Sequence, residues 1–311
     1  MKLAALIASM GLVGCGGGKG FEPVPDGDVV NPGVDAAVPA GWTKLIARDW
    51  EILAGATDTY RCRRVKVPED MWISGFQALS PLGTHHQVLT ITESSTTLGD
   101  YDCAAHNLDS TMLYAAGVGT EAFEFPTGVA TKLTKDSYIN INLHLYNSSD
   151  VTMTGESGVL VKTVTAAEVT KQVDFMFAGT YQLSIPPDGQ NHDFTGGCTV
   201  PASNYEIFSL WPHMHQIANH QKITFTPSGG AMEVLLDEAY TFEDQAYYPM
   251  VGSKTLPAGG AIRVTCSYNN PYVAPPNGRT VGFGDSSTDE MCFAGFYKYP
   301  AGGNAFQCVG Q

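Results

Sequence analysis

The chain has 311 residues, with 17 Lys and Arg against 31 Asp and Glu, a formal net charge of −14 and basic residues that are scattered. That balance argues against nucleic acid and anionic membrane surfaces as partners, and the length accommodates two domains, each burying its own core, with one very large sandwich as the lesser alternative. Charged residues make up only 15% while Gly (34) and Pro (18) are plentiful, a composition of many short strands and turns that predicts an all-β protein.

Residues 1–15 read as an export signal: Lys2, an apolar run from Leu3 to Val13, then Leu12-Val13-Gly14-Cys15. This ending resembles the lipobox of a bacterial lipoprotein, whose Cys becomes the lipidated N-terminus, with a plain secretory signal as the alternative. The run is too short to span a bilayer, and no later stretch approaches the ~18 to 20 apolar residues required. The expectation is an exported protein, lipid-anchored through Cys15 to a bacterial cell-envelope membrane and otherwise free of membrane contact. Residues 16–41, Gly-rich and then mixed Pro, Asp, Gly and Val, are too poor in large apolar side chains to fold alone and read as a flexible linker. The remaining cysteines, Cys62, Cys103, Cys198, Cys266, Cys292 and Cys308, are an even number in an exported chain and predict three disulfides with fifteen pairings open. No CxxC occurs, which argues against a thiolate zinc site.

A short helix is expected near Asn107 to Ala116. From Tyr138 to Asn147 the chain alternates strictly, so that Ile139, Ile141, Leu143 and Leu145 share one strand face and His144 lies on the polar face beside Asn142 and Tyr146. The segment from Ile262 to Tyr268 alternates similarly and closes in an Asn269-Asn270-Pro271 turn. Between Thr163 and Val173 the alternation is lost. The junction of two antiparallel β-sandwich domains is placed there, giving domains over residues 42–165 and 166–311.

The chemistry-bearing residues are His85-His86, His144, the Trp211-Pro212-His213-Met214-His215 run, and Met291 in Asp289-Glu290-Met291-Cys292. His213 and His215, one residue apart on a strand, project from the same face and can meet one ion. His85 and His86 are neighbours, which a regular strand points to opposite faces, so joint ligation requires a bulge, an irregular turn or different ring nitrogens. His144 is a candidate third ligand, though a single His is more often an ordinary hydrogen-bonding group, and a single Met is more often core filler. Imidazole with thioether is a set that suits copper.

In order, Tyr60-Arg61-Cys62, His85-His86, Leu113-Tyr114-Ala115, the His144 strand, Ile185-Pro186-Pro187, His213-Met214-His215, Gln245-Ala246-Tyr247-Tyr248-Pro249, Cys266 and Asp289-Glu290-Met291-Cys292 resemble the copper type II, ascorbate-dependent monooxygenases, the peptidylglycine α-hydroxylating and dopamine β-hydroxylating enzymes. The resemblance runs from about Trp42 to the C-terminus. It implies two jelly-roll-like sandwiches with a copper site on each, facing an interdomain cleft. One copper falls on His85, His86 and His144 as an electron store. The other falls on the catalytic set His213, His215 and Met291, where O2 and ascorbate-derived electrons hydroxylate a substrate C–H bond. It also implies the pairings Cys62–Cys103, Cys198–Cys308 and Cys266–Cys292, the last anchoring Met291 through its neighbour. Asp289 and Glu290 are read as turn and supporting groups, and no general base is required.

Departures from the family bear on substrate. Amidating members carry an Arg where Trp211 stands, and a polar Asn and a Tyr where Phe293 and Gly295 stand; Asn219 and His220 replace a Gly after the HxH. Trp211 and Phe293 become candidate substrate-pocket residues, and a small neutral or apolar substrate is expected rather than a peptide carboxylate. The competing readings are a copper-binding lipoprotein that stores or senses metal without turnover and a metal-free β-sandwich adhesion protein. A zinc hydrolase fits poorly because Met is a poor zinc ligand.

Overall fold

In the N-terminal half the strands are β1 (Thr43–Ile52), β2 (Thr59–Lys66), β3 (Met71–Leu79), β4 (Thr84–Thr92), β5 (Gly99–Asp102), β6 (Thr111–Gly117), β7 (Phe123–Glu124), β8 (Val129–Leu133), β9 (Tyr138–Leu145) and β10 (Met153–Val164). After a 3-10 turn at Ala166–Glu168 come β11 (Lys171–Gln172), β12 (Asp174–Thr180), β13 (Ser184–Ile185), β14 (Asn191–Thr199), β15 (Tyr205–His213), β16 (Ala218–Thr226), β17 (Glu233–Ala239), β18 (Tyr248–Leu256), β19 (Ala261–Asn269), β20 (Val281–Gly282), β21 (Cys292–Tyr299) and β22 (Cys308–Val309). The computed structural model describes residues 38–310 apart from 110, 118, 119, 202, 243, 244, 272–277 and 304. The export signal, Cys15 and most of the expected linker therefore lie outside the described residues. No α-helix occurs among the described residues, so the chain is all-β.

The N-terminal strands form one sheet ordered β1-β10-β3-β8-β11, with β7 on β3, and another ordered β5-β2-β9-β4-β6. The C-terminal strands form β18-β15-β21-β12-β22, β14-β19-β16-β17 and the small β13-β20 pair. Pairing is antiparallel throughout the long strands and parallel only where the short β11 and β22 join β8 and β12. Disulfides join Cys62 to Cys103, Cys198 to Cys308 and Cys266 to Cys292.

The sheet containing β12, β15 and β21 is the middle layer of the molecule, buried on both faces, and its side-chain alternation sorts residues between two cores. Along β21, Phe293, Tyr297 and Tyr299 enter the core that includes Ile73, Phe76, Leu89 and Ile141 of the N-terminal half. Cys292, Ala294 and Phe296 enter the other, with Ile207, Ile223 and Val264. The two halves are thus packed through a layer of rings rather than set apart: Phe123 stacks on Tyr247 at 4.9 Å between centroids, and Phe125 lies 4.9 Å from Tyr297. Residues 32–311 accordingly form one compact unit.

Two expectations are corrected. The segment from Asn107 to Ala116 is not a helix but a turn leading into β6, because Met112 to Ala116 are covered on both faces and the backbone pairs with β4. Tyr297 donates its hydroxyl to Leu113 O and Tyr247 donates to Ala115 O, so C-terminal tyrosines satisfy the polar groups this strand presents at its sheet edge. The face of β9 expected to be polar is also buried, with Asn142 4% and His144 5% exposed. The Asn142 side chain donates instead to Ala104 O.

Candidate metal centre

Pairing of β4 with β9 slips between Thr84 and His86. That bulge is what allows adjacent histidines to serve one site, since it removes the opposite-face rule of a regular strand. His86 lies directly opposite His144 of β9, and the three imidazoles of His85, His86 and His144 present ligand atoms all within 4.8 Å of one another. His86 Nδ1 stands 3.1 Å from His85 Nδ1 and 3.4 Å from His144 Nδ1. Three convergent ring nitrogens that share so few protons are a ready-made cation site.

The outer nitrogens are held in place. His144 Nε2 meets Asp58 Oδ1 at 2.9 Å, and its ring stacks on Tyr60 at 4.7 Å and 7°. Asp58 has φ 50°, the left-handed conformation in which a non-Gly residue is uncommon, and its Oδ1 also accepts from Ser287 Oγ of the C-terminal half. Burial, with repulsion from Asp58 and Asp285, pushes the Tyr60 hydroxyl up to about 12. Burial drives His85 down to about 4, and it holds His86 and His144 below the usual imidazole range, so that the rings are neutral and available as ligands.

His213 ends β15 and His215 follows it, with ring centroids 5.4 Å apart at 86°. His213 Nδ1 meets Gln245 Oε1 at 3.1 Å and its ring stacks on Trp211 at 4.8 Å. His215 Nδ1 meets Asp289 O at 3.1 Å. In both rings Nε2 is the nitrogen left for a ligand role. Burial takes His213 down to about 3 and lowers His215 as well.

Glu290, 0% exposed, accepts the backbone N–H of His215 on one oxygen and that of Ile217 on the other, each at 2.8 Å. Burial pushes its carboxyl up to about 8 against the opposing pull of these donors. Next to it, Met291 is half-buried, its carbonyl accepts the Tyr268 hydroxyl at 2.6 Å, and its neighbour Cys292 is bonded to Cys266.

The two histidine sets open onto one cavity of about 250 Å³. His86, His144, His213, His215 and Met291 all line it, and the His86 and His213 rings stand 6.2 Å apart between centroids. Trp211 and Phe293 line it too, as do Phe177, Tyr181, Phe283 and Phe306. No Lys or Arg does so among the described residues, and Asp285 is the only carboxylate. A Cβ at Gly295 would collide with the Phe175 ring.

Sequence reasoning did not assign the supporting groups Asp58, Tyr60 and Gln245. Tyr60 and Gln245 were visible only as members of longer motifs, and the positive φ of Asp58 has no signature in sequence. Among the described residues the three imidazoles of His85, His86 and His144 could hold a metal ion, and His213, His215 and Met291 line the cavity beside them. Residues 171–309 match the family described as copper type II ascorbate-dependent monooxygenase, C-terminal domain. Solved structures that the chain resembles distantly are infectious bursal disease virus particles. The T13 viral particle is 9% identical over 84% of this chain and 71% of its own, with a TM-score of 0.22. The VP2 subviral particle is 11% identical over 84% and 72%, with a TM-score of 0.19. Scores this low do not establish a shared fold.

Proposed function

We propose that the protein is an exported, lipid-anchored copper monooxygenase that hydroxylates a C–H bond of a small neutral or apolar compound, using O2 and ascorbate or a similar reductant. The observation that carries this reading is that His213, His215 and Met291 line the same aromatic cavity as His86 and His144. The donor types suit the metal: three imidazole nitrogens converge in one half, and two imidazoles and a thioether line the same cavity in the other, the latter a softer set suited to Cu(I). His85, His86 and His144 would hold one ion, and His213, His215 and Met291 the second. Copper bound there supplies one-electron transfer and dioxygen chemistry.

The residues of the chain do the rest. Asp58 and Tyr60 fix the His144 ring, and Glu290, the residue before Met291, holds the backbone of His215 and Ile217 beside that methionine's segment. Phe177, Tyr181, Phe283 and Phe293 offer ring faces and edges to a substrate and keep water from it. With no cation in the described lining, a carboxylate-bearing substrate would lose hydration without gaining a partner. The two halves are read as consecutive β-sandwiches whose metal sites face each other across this cavity.

The test is O2 uptake with ascorbate across small aromatic and apolar compounds, coupled to detection of hydroxylated product. Met291→Ile is expected to keep the fold and the three-histidine copper while abolishing product; full turnover in that variant refutes the assignment.

A further inference from the structure

Gln245 comes from the C-terminal half yet touches imidazoles of both clusters. Its Nε2 stands 2.6 Å from His86 Nε2 and its Oε1 3.1 Å from His213 Nδ1. The residue is 1% exposed, and its backbone carbonyl accepts both the Trp211 Nε1–H and the Thr120 hydroxyl. A Cβ at Gly117 would come within 3.1 Å of the Gln245 Cβ, so glycine there makes room for this residue. The amide orientation is set by Phe242, whose carbonyl accepts from Nε2 at 3.2 Å.

Proton positions follow from that orientation. Oε1 accepts from Nδ1–H of His213, leaving the other nitrogen of that ring bare for a ligand role. The amide N–H donates to His86 Nε2, which must be bare, so the His86 proton sits on Nδ1. A metal ion among the three Nδ1 atoms demands the opposite tautomer of His86, with its Nε2–H aimed at the amide N–H. Turning the amide over relieves that clash. It then points N–H at His213 Nδ1, which sends the His213 proton to Nε2, the nitrogen its own site needs bare. Each orientation serves one cluster at the expense of the other.

We propose that Gln245 is a two-position latch that couples the metal sites negatively: an ion on His85, His86 and His144 weakens binding at His213, His215 and Met291, and by reciprocity the reverse. The inference rests on the two-site copper reading above and adds a regulation to it. The test is Cu(I) binding to the anaerobic apoprotein by competition with a chelator. The product of the two stepwise constants in the parent is expected to fall short of the product of the single-site constants, measured in His215→Ala and His85→Ala, by on the order of tenfold. Gln245→Glu, whose two oxygens accept from both imidazoles at once, is expected to erase the deficit. Equality of the products in the parent, or an undiminished deficit in Gln245→Glu, overturns the latch and leaves the copper sites standing. Failure of the parent to take up a second Cu(I) at all overturns the two-site reading and the latch together. The comparison of parent with single-site variants stands even where Gln245→Glu does not fold.

Discussion

Glu290→Ala isolates the device that brings the HxH and the methionine into register. The Glu290 side chain accepts two backbone donors, the buried His215 N–H and the partly buried Ile217 N–H, both at 2.8 Å. An unpaired buried donor costs about 1–3 kcal/mol and a half-open one less, so the two orphaned together cost roughly 2–4 kcal/mol. Against a typical stability of about 5–15 kcal/mol, that is a large fraction of the total. Glu290→Gln keeps one acceptor and orphans one donor, so about half that loss is expected. The assay is urea unfolding followed by tryptophan fluorescence, with bound Cu(I) counted on each variant. The expected pattern is a graded fall in midpoint from parent to Gln to Ala, together with selective loss of the ion at His213, His215 and Met291. An alanine variant with the parent's midpoint and both ions would refute the claim that this carboxylate holds the loop.

Acid should destabilise the apoprotein. Unfolded, the imidazoles take up protons near 6.5, whereas burial holds His85 at about 4 and His213 at about 3 in the folded state. Between those limits each of these imidazoles binds more protons unfolded than folded, so its contribution is full above about 6.5 and falls as pH drops through the window; Glu290, raised to about 8, contributes in the opposite sense, so the imidazole effect is read in Glu290→Gln, where a urea midpoint that does not move between about pH 7.5 and 4.5 would contradict this. Tyr181→Ala removes a cavity-lining ring that sits 4.9 Å from Phe283 and 5.4 Å from Phe293. Because Tyr181 is 42% exposed, stability should hardly change, while binding of a neutral aromatic probe such as indole, measured by calorimetry, should weaken by about 0.5–1.5 kcal/mol; unaltered indole affinity would remove the aromatic wall from the substrate reading.

Several features were legible without coordinates because they depend on local pattern. Period-two alternation marked β9 and β19, and the HxH spacing drew attention to His213 and His215, although β15 ends at His213 and His215 lies just beyond the strand. The doubled His85-His86 called for a bulge, an irregular turn or different ring nitrogens, and the slip at Thr84/His86 is the first of these. The helix expected near Asn107 failed for an instructive reason: Met112 to Ala116 form an apolar run with no alternation, and only burial on both faces makes such a run a strand. The polar face expected for β9 failed likewise, since alternation reports polarity but not what lies above it.

The sequence by itself determined the all-β character and the candidate ligand types on which the proposed copper chemistry rests, because propensity, periodicity and donor type belong to residues and their near neighbours. Only the tertiary structure decided that the halves meet through stacked rings, that Glu290 reaches the loop at His215, and that one glutamine amide stands between His86 and His213. Those facts depend on contacts between segments as many as 184 residues apart in the chain, and no local pattern encodes which distant surfaces will exclude water together.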